Sequence, residues 1–403
     1  MSVGEPSLDL VLAAEALQPE LVELRRRMHR DPEVGLLLPR TQRLVLDALA
    51  GLGLEIQTGE TVSSVIAVLR GGRPGPTVLL RADMDGLPLA EETGLDYAST
   101  TGAMHACGHD LHTAGLVGAA RLLAAHRADV AGDVVFMFQP GEEGFDGAAA
   151  MIAEGVLQAS GELPIAAYAA HVVPGPAGTF STRRGALMAG TADLHIEMRG
   201  VGGHGSQPHT SVDPVAALAE LVTALHVMVT RRFSVFDPVV VTVTQLAAGA
   251  AVNVIPDTAS LGATVRTLSR ESDERIREEV TRLASGIAAA HGCQAVVEFS
   301  ADYPVLVNDD AETDWVSSTL AETFGAERTS QRRDPLMASE DFSRVLQAVP
   351  GALVLLGASP ADVDPADSAW NHSPRVVFDD AVLGDLARGL ATLALRRLEL
   401  AAD

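Results

Sequence analysis

Apolar positions recur at helical spacing over residues 8–29, where Leu8, Val11, Leu12, Leu17, Leu21 and Leu24 fall mostly three to five apart. Pro19 interrupts that run and predicts that one helix ends there and a second begins. Thr41 to Leu52 repeats the helical pattern. Short apolar runs of strand character follow at 64–70 (SVIAVLR) and 77–85 (TVLLRADMD). The helical period returns from Thr113 to Ala125, and further strands are expected at 133–140 (DVVFMFQP) and 165–172 (IAAYAAHV). Strands alternating with helices predict an α/β domain on a largely parallel or mixed sheet.

The pattern changes near Gly190. ADLHIEMRG (192–200) alternates like a half-exposed strand, and a helix is expected from Asp213 to Arg231. Two strands follow at 238–249 and 259–268, then a charged amphipathic helix over 270–290 and a last strand at 294–301. This β-α-β-β-α-β order is that of a ferredoxin-like α+β unit. The strand ALVLLGA (352–358) then belongs to the first domain again. The expected organisation is therefore one α/β domain, 1–189 and 303–403, interrupted by a smaller domain at 190–302.

Composition narrows the partners. A chain of 403 residues is too long for one small core. With 47% apolar residues but only 4% aromatics, the core must be built from Ala, Val and Leu. The formal net charge is −24 and every cation is an arginine, because the chain has no lysine. That balance argues against nucleic-acid and anionic-membrane partners. Two cysteines, Cys107 and Cys293, cannot form a disulfide framework. The first residues, MSVGEPSLDLVL, lack the basic region of a secretory signal, and no uninterrupted apolar run reaches the roughly 18 residues of a membrane span. The expectation is a cytoplasmic protein.

Polar clusters fall where strands end: RADMD (81–85), CGHD (107–110), QPGEEG (139–144), His171 and NHSP (371–374). In open α/β sheets, ligands gather outside the carboxyl ends of the strands, so these clusters can meet at one rim. Cys107 and His109 suit a borderline metal such as zinc. Cys107 also fits a cysteine nucleophile with a nearby histidine, or a buried thiol beside a helix-capping Asp110. The adjacent pair Glu142–Glu143 favours a cation: one carboxylate ligates it while the other takes a proton from water. A cysteine hydrolase needs neither glutamate. His171 on a strand and His372 in a loop are each weak signals alone, but they enlarge the donor set to one or two metals.

The combination resembles the aminoacylase and carboxypeptidase-like metallopeptidase family, in the amidohydrolase branch of hippurate hydrolases, indoleacetyl-amino-acid hydrolases and N-acetyldiaminopimelate deacetylases. The resemblance runs from RRRMHRDPEVG (25–35) through RADMDGLP, MHACGHDLHTA, FQPGEEG and GGHGSQPH (202–209) to NVIPD (253–257), ASEDF (338–342) and NHSP. It implies a metallopeptidase catalytic domain with a mixed sheet between helices, and a ferredoxin-like lid and dimerisation domain. It implies one or two divalent ions (Mn2+, Zn2+, Ni2+ or Co2+) held by Cys107, His109, Glu143, His171 and His372. Glu142 is then the general base, His204 the stabiliser of the oxyanion, and Asn253 and Arg266 substrate contacts. Asp83 and Asp85 are expected to orient the site, with Asp85 counted among the catalytic groups. The implied reaction is hydrolysis of an N-acyl amino acid by a homodimer or higher homo-oligomer. A cysteine-nucleophile amidase, a dipeptidase and a non-catalytic relative are the alternatives.

Overall fold

The computed structural model of the chain describes residues 8–402. The segment 1–7, where the sequence argues against a secretory signal, lies outside the described residues. The chain divides into two compact units. One holds the residues up to Leu187 together with Val307–Asp334 and those from Arg344 on; the other holds Met188–Leu306 and Pro335–Ser343. The short visit at Pro335–Ser343 is not marked in the hydropathy pattern.

In the first unit the chain runs through α1 (Leu8–Arg30), α2 (Pro39–Leu49), β1 (Glu55–Thr58), β2 (Val65–Arg70), β3 (Arg73–Asp83), α3 (His109–Ala125), β4 (Ala131–Gln139), α4 (Gly147–Ala153), β5 (Ala166–Val173), β6 (Phe180–Thr182) and β7 (Gly185–Met188). Helix α1 is continuous through Pro19, against the break expected there. Proline removes one backbone donor and frees one carbonyl four residues earlier. Here Pro19 and Glu15 are both exposed, so water meets the freed carbonyl. Leu21 and Met28 are buried on the opposite face, and α1 packs on α3, which holds the helix together across the proline.

The second unit contributes β8 (Gly190–Arg199), β9 (Gly203–His204), α5 (Pro214–Arg232), β10 (Val240–Ala248), β11 (Val254–Ile255), β12 (Thr258–Thr267), α6 (Arg270–Ala290) and β13 (Gln294–Tyr303). Its antiparallel sheet has the order β10-β12-β8-β13 and carries two helices, the split arrangement expected from the sequence. Strand β8 alternates buried and half-exposed or exposed side chains, with Ala192, Leu194, Ile196 and Met198 in the core. Asp213 caps α5 by accepting from the Val215 N–H, and Ser269 caps α6 in the same way through Ser272. Among the described residues α5 alone is long and apolar enough to cross a bilayer. In this unit it instead lays Ala217, Leu218, Leu221 and Leu225 into the core over the sheet.

The chain then completes the first unit with β14 (Leu306–Asn308), α7 (Asp310–Phe324), β15 (Thr329–Gln331), α8 (Ser343–Leu346), β16 (Gly351–Gly357) and α9 (Leu383–Ala402). The main sheet has eight strands in the order β1-β2-β4-β3-β5-β16-β6-β15. Strands β3, β4, β5 and β16 are mutually parallel where they pair, while β1, β2 and β6 pair antiparallel with neighbours, so the sheet is mixed. Val78, Leu79 and Leu80 of β3 are fully buried, as a central strand covered on both faces requires. Helices α3 and α9 pack closely because Gly115 leaves the space where a Cβ would lie 2.4 Å from Leu386 Cδ2. The parallel strands end together, so Asp83, Gln139 and Val173 stand at one rim.

Candidate metal centre and catalytic site

Three segments reach this rim: the turn after β3, the start of α3, and the turn after β4. The helix starts earlier than its apolar pattern, at His109, with Gly108 rather than Asp110 as its N-cap. Gly108 sits at φ +84, and a Cβ there would lie 2.2 Å from Val172 Cγ2, so glycine is required. That left-handed turn sets Cys107 and His109 on either side of the helix entrance. His372, also left-handed at φ 69, is fixed by its N–H donating to Ala106 O at 2.9 Å.

The hydrogen bonds fix the histidine tautomers. His109 Nδ1 donates to the Asp85 carbonyl at 2.9 Å, and its Nε2 is buried with no hydrogen-bond partner. His171 Nδ1 donates to Val172 O at 2.8 Å, leaving Nε2 facing Cys107 Sγ at 3.4 Å. Both rings therefore present an Nε2 toward Cys107, as metal-ligating histidines do when the other nitrogen is held by a carbonyl. The donor atoms of Cys107, His109 and His171 lie within 4.8 Å of one another, and so do those of Cys107, Glu143 and His372. Cys107 is common to both groups. His372 Nε2 lies 3.2 Å from Glu143 Oε1, itself a buried oxygen without a hydrogen-bond partner. A thiol, three imidazoles and a carboxylate converging with orphaned buried atoms fit one or two divalent cations.

The carboxylates are positioned from behind. Asp85 accepts the backbone N–H groups of Glu142 at 3.0 Å and Glu143 at 3.1 Å, so it shapes the turn that carries the pair. Glu142 Oε2 and Glu143 Oε1 each lie 3.9 Å from His109 Nε2. Asp83 accepts from Arg81 at 2.6 Å and from His112 Nδ1 at 2.6 Å. His112 Nε2 in turn accepts the Val172 N–H at 2.8 Å, which spends both its nitrogens on orientation. His112 was not among the residues expected at the site. Its place three residues after His109, on the same helix face, was the available signal.

Charge in the cluster is high. Burial works against protonation of His109, yet Asp83, Cys107 and Asp85 outweigh it and hold its pKa well above the usual value. As acceptors facing its ring, Cys107 and Glu143 push His372 up to about 10. Burial and neighbouring His112 keep His171 neutral. Burial, with Glu143 beside it, pushes the Cys107 thiol up.

Behind this cluster lies a buried ionic network. Arg25 Nε donates to Asp110 Oδ2 at 2.6 Å, and its Nη1 donates to the Tyr97 hydroxyl at 2.8 Å and Asp380 Oδ1 at 2.9 Å. His29 spans Asp110 at 2.8 Å and Glu91 at 3.2 Å, and both carboxylates help raise its pKa against burial. The network ties α1 to the residue after His109.

The remaining expected residues belong to the second unit. His204 and Asn253 are brought together there: His204 in β9 is the register partner of Val254 in β11, and the Gly205 N–H donates to Asn253 O at 2.8 Å. Both side chains are exposed. Arg266 is not brought to them. It pairs in register with Thr191, eight residues along β12 from Thr258, or about 26 Å at strand rise. Its guanidinium donates to Thr191, to Thr264 Oγ1 at 2.6 Å and to Val265 O at 2.9 Å, so it is held against its own sheet.

Comparison with known proteins places this site in context. The model of peptidase family M20/M25/M40 matches residues 79–396. The chain is 34% identical over 384 residues to thermostable carboxypeptidase 2 of Saccharolobus solfataricus, covering 93% of this chain and 94% of the relative. It is 38% identical over 345 residues to N-acetyldiaminopimelate deacetylase of Halalkalibacterium halodurans, covering 85% and 91%. Among solved structures, a Bacillus subtilis protein described as a dinuclear metal binding peptidase superposes with a TM-score of 0.82 at 32% identity, covering 96% of this chain and 99% of that one.

Proposed function

The chain belongs to peptidase family M20/M25/M40, and from that premise we propose a metal-dependent amidohydrolase that converts N-acyl amino acids to a carboxylate and a free amino acid. The observation that carries the reading is the convergence of His109 Nε2 and His171 Nε2 on Cys107, with Glu142 and Glu143 alongside. Cys107, His109, Glu143, His171 and His372 are the residues that would hold the metal, with Cys107 shared between two positions. Zinc, manganese, nickel and cobalt all suit such donors. When bound, the ion supplies Lewis acidity toward the amide oxygen and toward water.

Glu142 takes the proton from the attacking water and returns it to the departing amine nitrogen. Asp85 keeps Glu142 and Glu143 apart and aimed by holding both of their backbone N–H groups. His204 is assigned to the oxyanion and Asn253 to the substrate, whereas the donors of Arg266 are met by its own sheet. Two copies are proposed to join along the edge strand β10, which has one free side and an exposed Leu246. A cysteine-nucleophile route fits less well, because burial raises the Cys107 thiol pKa and so disfavours the thiolate. The carboxypeptidase relative makes short peptides the second substrate class to try.

The test is a panel of benzoyl-glycine, acetyl-methionine, indoleacetyl-alanine and acetyl-diaminopimelate, assayed before chelation, after it, and after metal is restored. Activity that vanishes and returns is expected; activity indifferent to chelation would overturn the metal reading. Glu142→Gln should fold and bind metal normally while losing turnover by roughly 10²–10⁴-fold. Near-normal turnover in that variant would remove Glu142 from its role.

A further inference from the structure

A second cavity, of about 470 Å³, opens at the other end of the rim, beyond Val173 and against the edge of the main sheet. Its floor is the last pair of strands. Ser181 in β6 and Ser330 in β15 are register partners in a parallel ladder, so their side chains share one face. Phe180 and Thr182 point the other way and are buried, with Phe180 against Phe324 of α7. The Arg332 N–H extends the ladder by donating to Thr182 O at 2.8 Å, which places Arg332 on the face of Ser330.

The Thr179 hydroxyl at this cavity donates to Pro176 O at 2.7 Å, but the other polar side chains of the lining are unspent. Among the described residues, no hydrogen bond is made by the hydroxyls of Ser181 and Ser330, and none of the side chains of Arg332, Arg333 and Asp334 forms an ion pair. Arg332 Nε is buried with no hydrogen-bond partner. Leaving such a donor unmade costs about 1–3 kcal/mol, more for a charged group. The chain has 53 acidic residues for 29 arginines, yet neither Arg332 nor Arg333 has an acid as its ion-pair partner among the described residues. Two arginines and one aspartate give the lining a net charge of +1, in a chain of net charge −24. The opposite wall, Val173, Pro174 and Pro176, is apolar.

We propose that this cavity is a second ligand site, for a free α-amino acid with an apolar side chain. The carboxylate is received by the Arg332 and Arg333 guanidinium groups and the two serine hydroxyls. The ammonium is received by Asp334, and the side chain lies against the valine and prolines. Arginine forks match a carboxylate in a way hydroxyls alone do not. A phosphate dianion fits less well beside Asp334. The site involves none of the metal-centre side chains and stands whether or not that centre hydrolyses acyl amino acids.

Isothermal titration of the metal-loaded protein tests it with a matched set: L-leucine, 4-methylpentanoate (no ammonium), 3-methylbutylamine (no carboxylate) and inorganic phosphate. L-Leucine should bind most tightly, the carboxylate about tenfold more weakly, and the amine not at all. Arg332→Ala should weaken L-leucine and 4-methylpentanoate about tenfold or more. Asp334→Asn should weaken L-leucine alone. Asp334 is exposed and Arg332 half-buried, and unchanged thermal midpoints would confirm that the variants fold. L-Leucine affinity unmoved by Arg332→Ala would place binding elsewhere and overturn the proposal. So would phosphate binding more tightly than L-leucine, or no heat from L-leucine at millimolar concentration.

Discussion

Arg25→Met tests whether the buried network behind the metal centre is a stability element. Methionine fills much of the space of the arginine stem, so the change removes charge and hydrogen bonds more than packing. Arg25 is completely buried, and so is its partner Asp110. The variant strips Asp110 of its 2.6 Å ion pair and leaves it only His29 at 2.8 Å. Removing one member of a buried pair costs about 3–5 kcal/mol, because the other charge stays behind uncompensated. Asp380, partly exposed, retains Arg26 at 2.8 Å and adds little to the loss. Urea unfolding at neutral pH reads the loss directly, and Arg25→Met with Asp110→Asn should recover part of it. The acid limb gives a second signature. Burial opposes ionisation of Asp110, but Arg25 and then His29 outweigh it and hold its pKa far below the usual carboxylate range. Its contribution is therefore present above the unfolded value of about 3.9 and lost as pH falls toward the folded one. In Arg25→Met that window narrows, so stability should depend less steeply on pH on the acid side. A loss below about 1 kcal/mol, the value of an exposed pair, would refute the reasoning.

Two further outcomes follow from the same region. Gly108→Ala should weaken metal binding far more than it lowers the thermal midpoint, because the new Cβ displaces Val172, whose N–H and carbonyl hold His112 and His171. Equal metal affinity in titrations of the two proteins would speak against that. His105 is buried with both ring nitrogens unpartnered, and burial pushes its pKa down from 6.5 to about 4. The unfolded chain takes up that proton first, so stability is full above the unfolded value and falls by about 3 kcal/mol as pH drops to the folded one. His105→Leu should flatten this part of the urea midpoint profile; an unchanged slope would show that His105 is not its source.

Much of this arrangement was legible beforehand, and the failures have physical causes. Apolar period located the helix Arg270–Ala290 and the longer strands of both units, by alternation where one face is buried and by unbroken apolar runs where both are, while β6, β7, β9, β11, β14 and β15, of two to four residues, are too short to carry a pattern. Strand β1 escaped notice because all four of its residues are exposed and carry no such signal. The clusters at strand ends pointed to the rim, since parallel strands finish together. Which histidines face the metal was a different matter. His109 and His112 are alike in sequence, and only the Asp85 carbonyl, Asp83 and the Val172 N–H separate a ligand from an orienting ring. Arg25 reads as one basic residue among several at a helix end, and nothing local announces Asp110, 85 residues away. Arg266 reads as a free cation on a strand, whereas its donors are met by the neighbouring threonines of its own sheet.

The position of β16 bears on how the protein is made. This strand lies between β5 and β6, and it is synthesised after all of Met188–Leu306. A growing chain therefore carries a main sheet with its central slot open while the second unit emerges and folds. At ribosomal speeds of roughly 5–20 residues per second, that interval lasts on the order of ten seconds. Through it the backbone N–H and C=O groups on one edge of β5 have no strand to pair with, and closure brings together segments far apart in sequence, a slow class of event. The second unit has its own core and, apart from Pro335–Ser343, is synthesised before the rest of the first unit returns. The metal rim, which needs His372 from beyond β16, is assembled last.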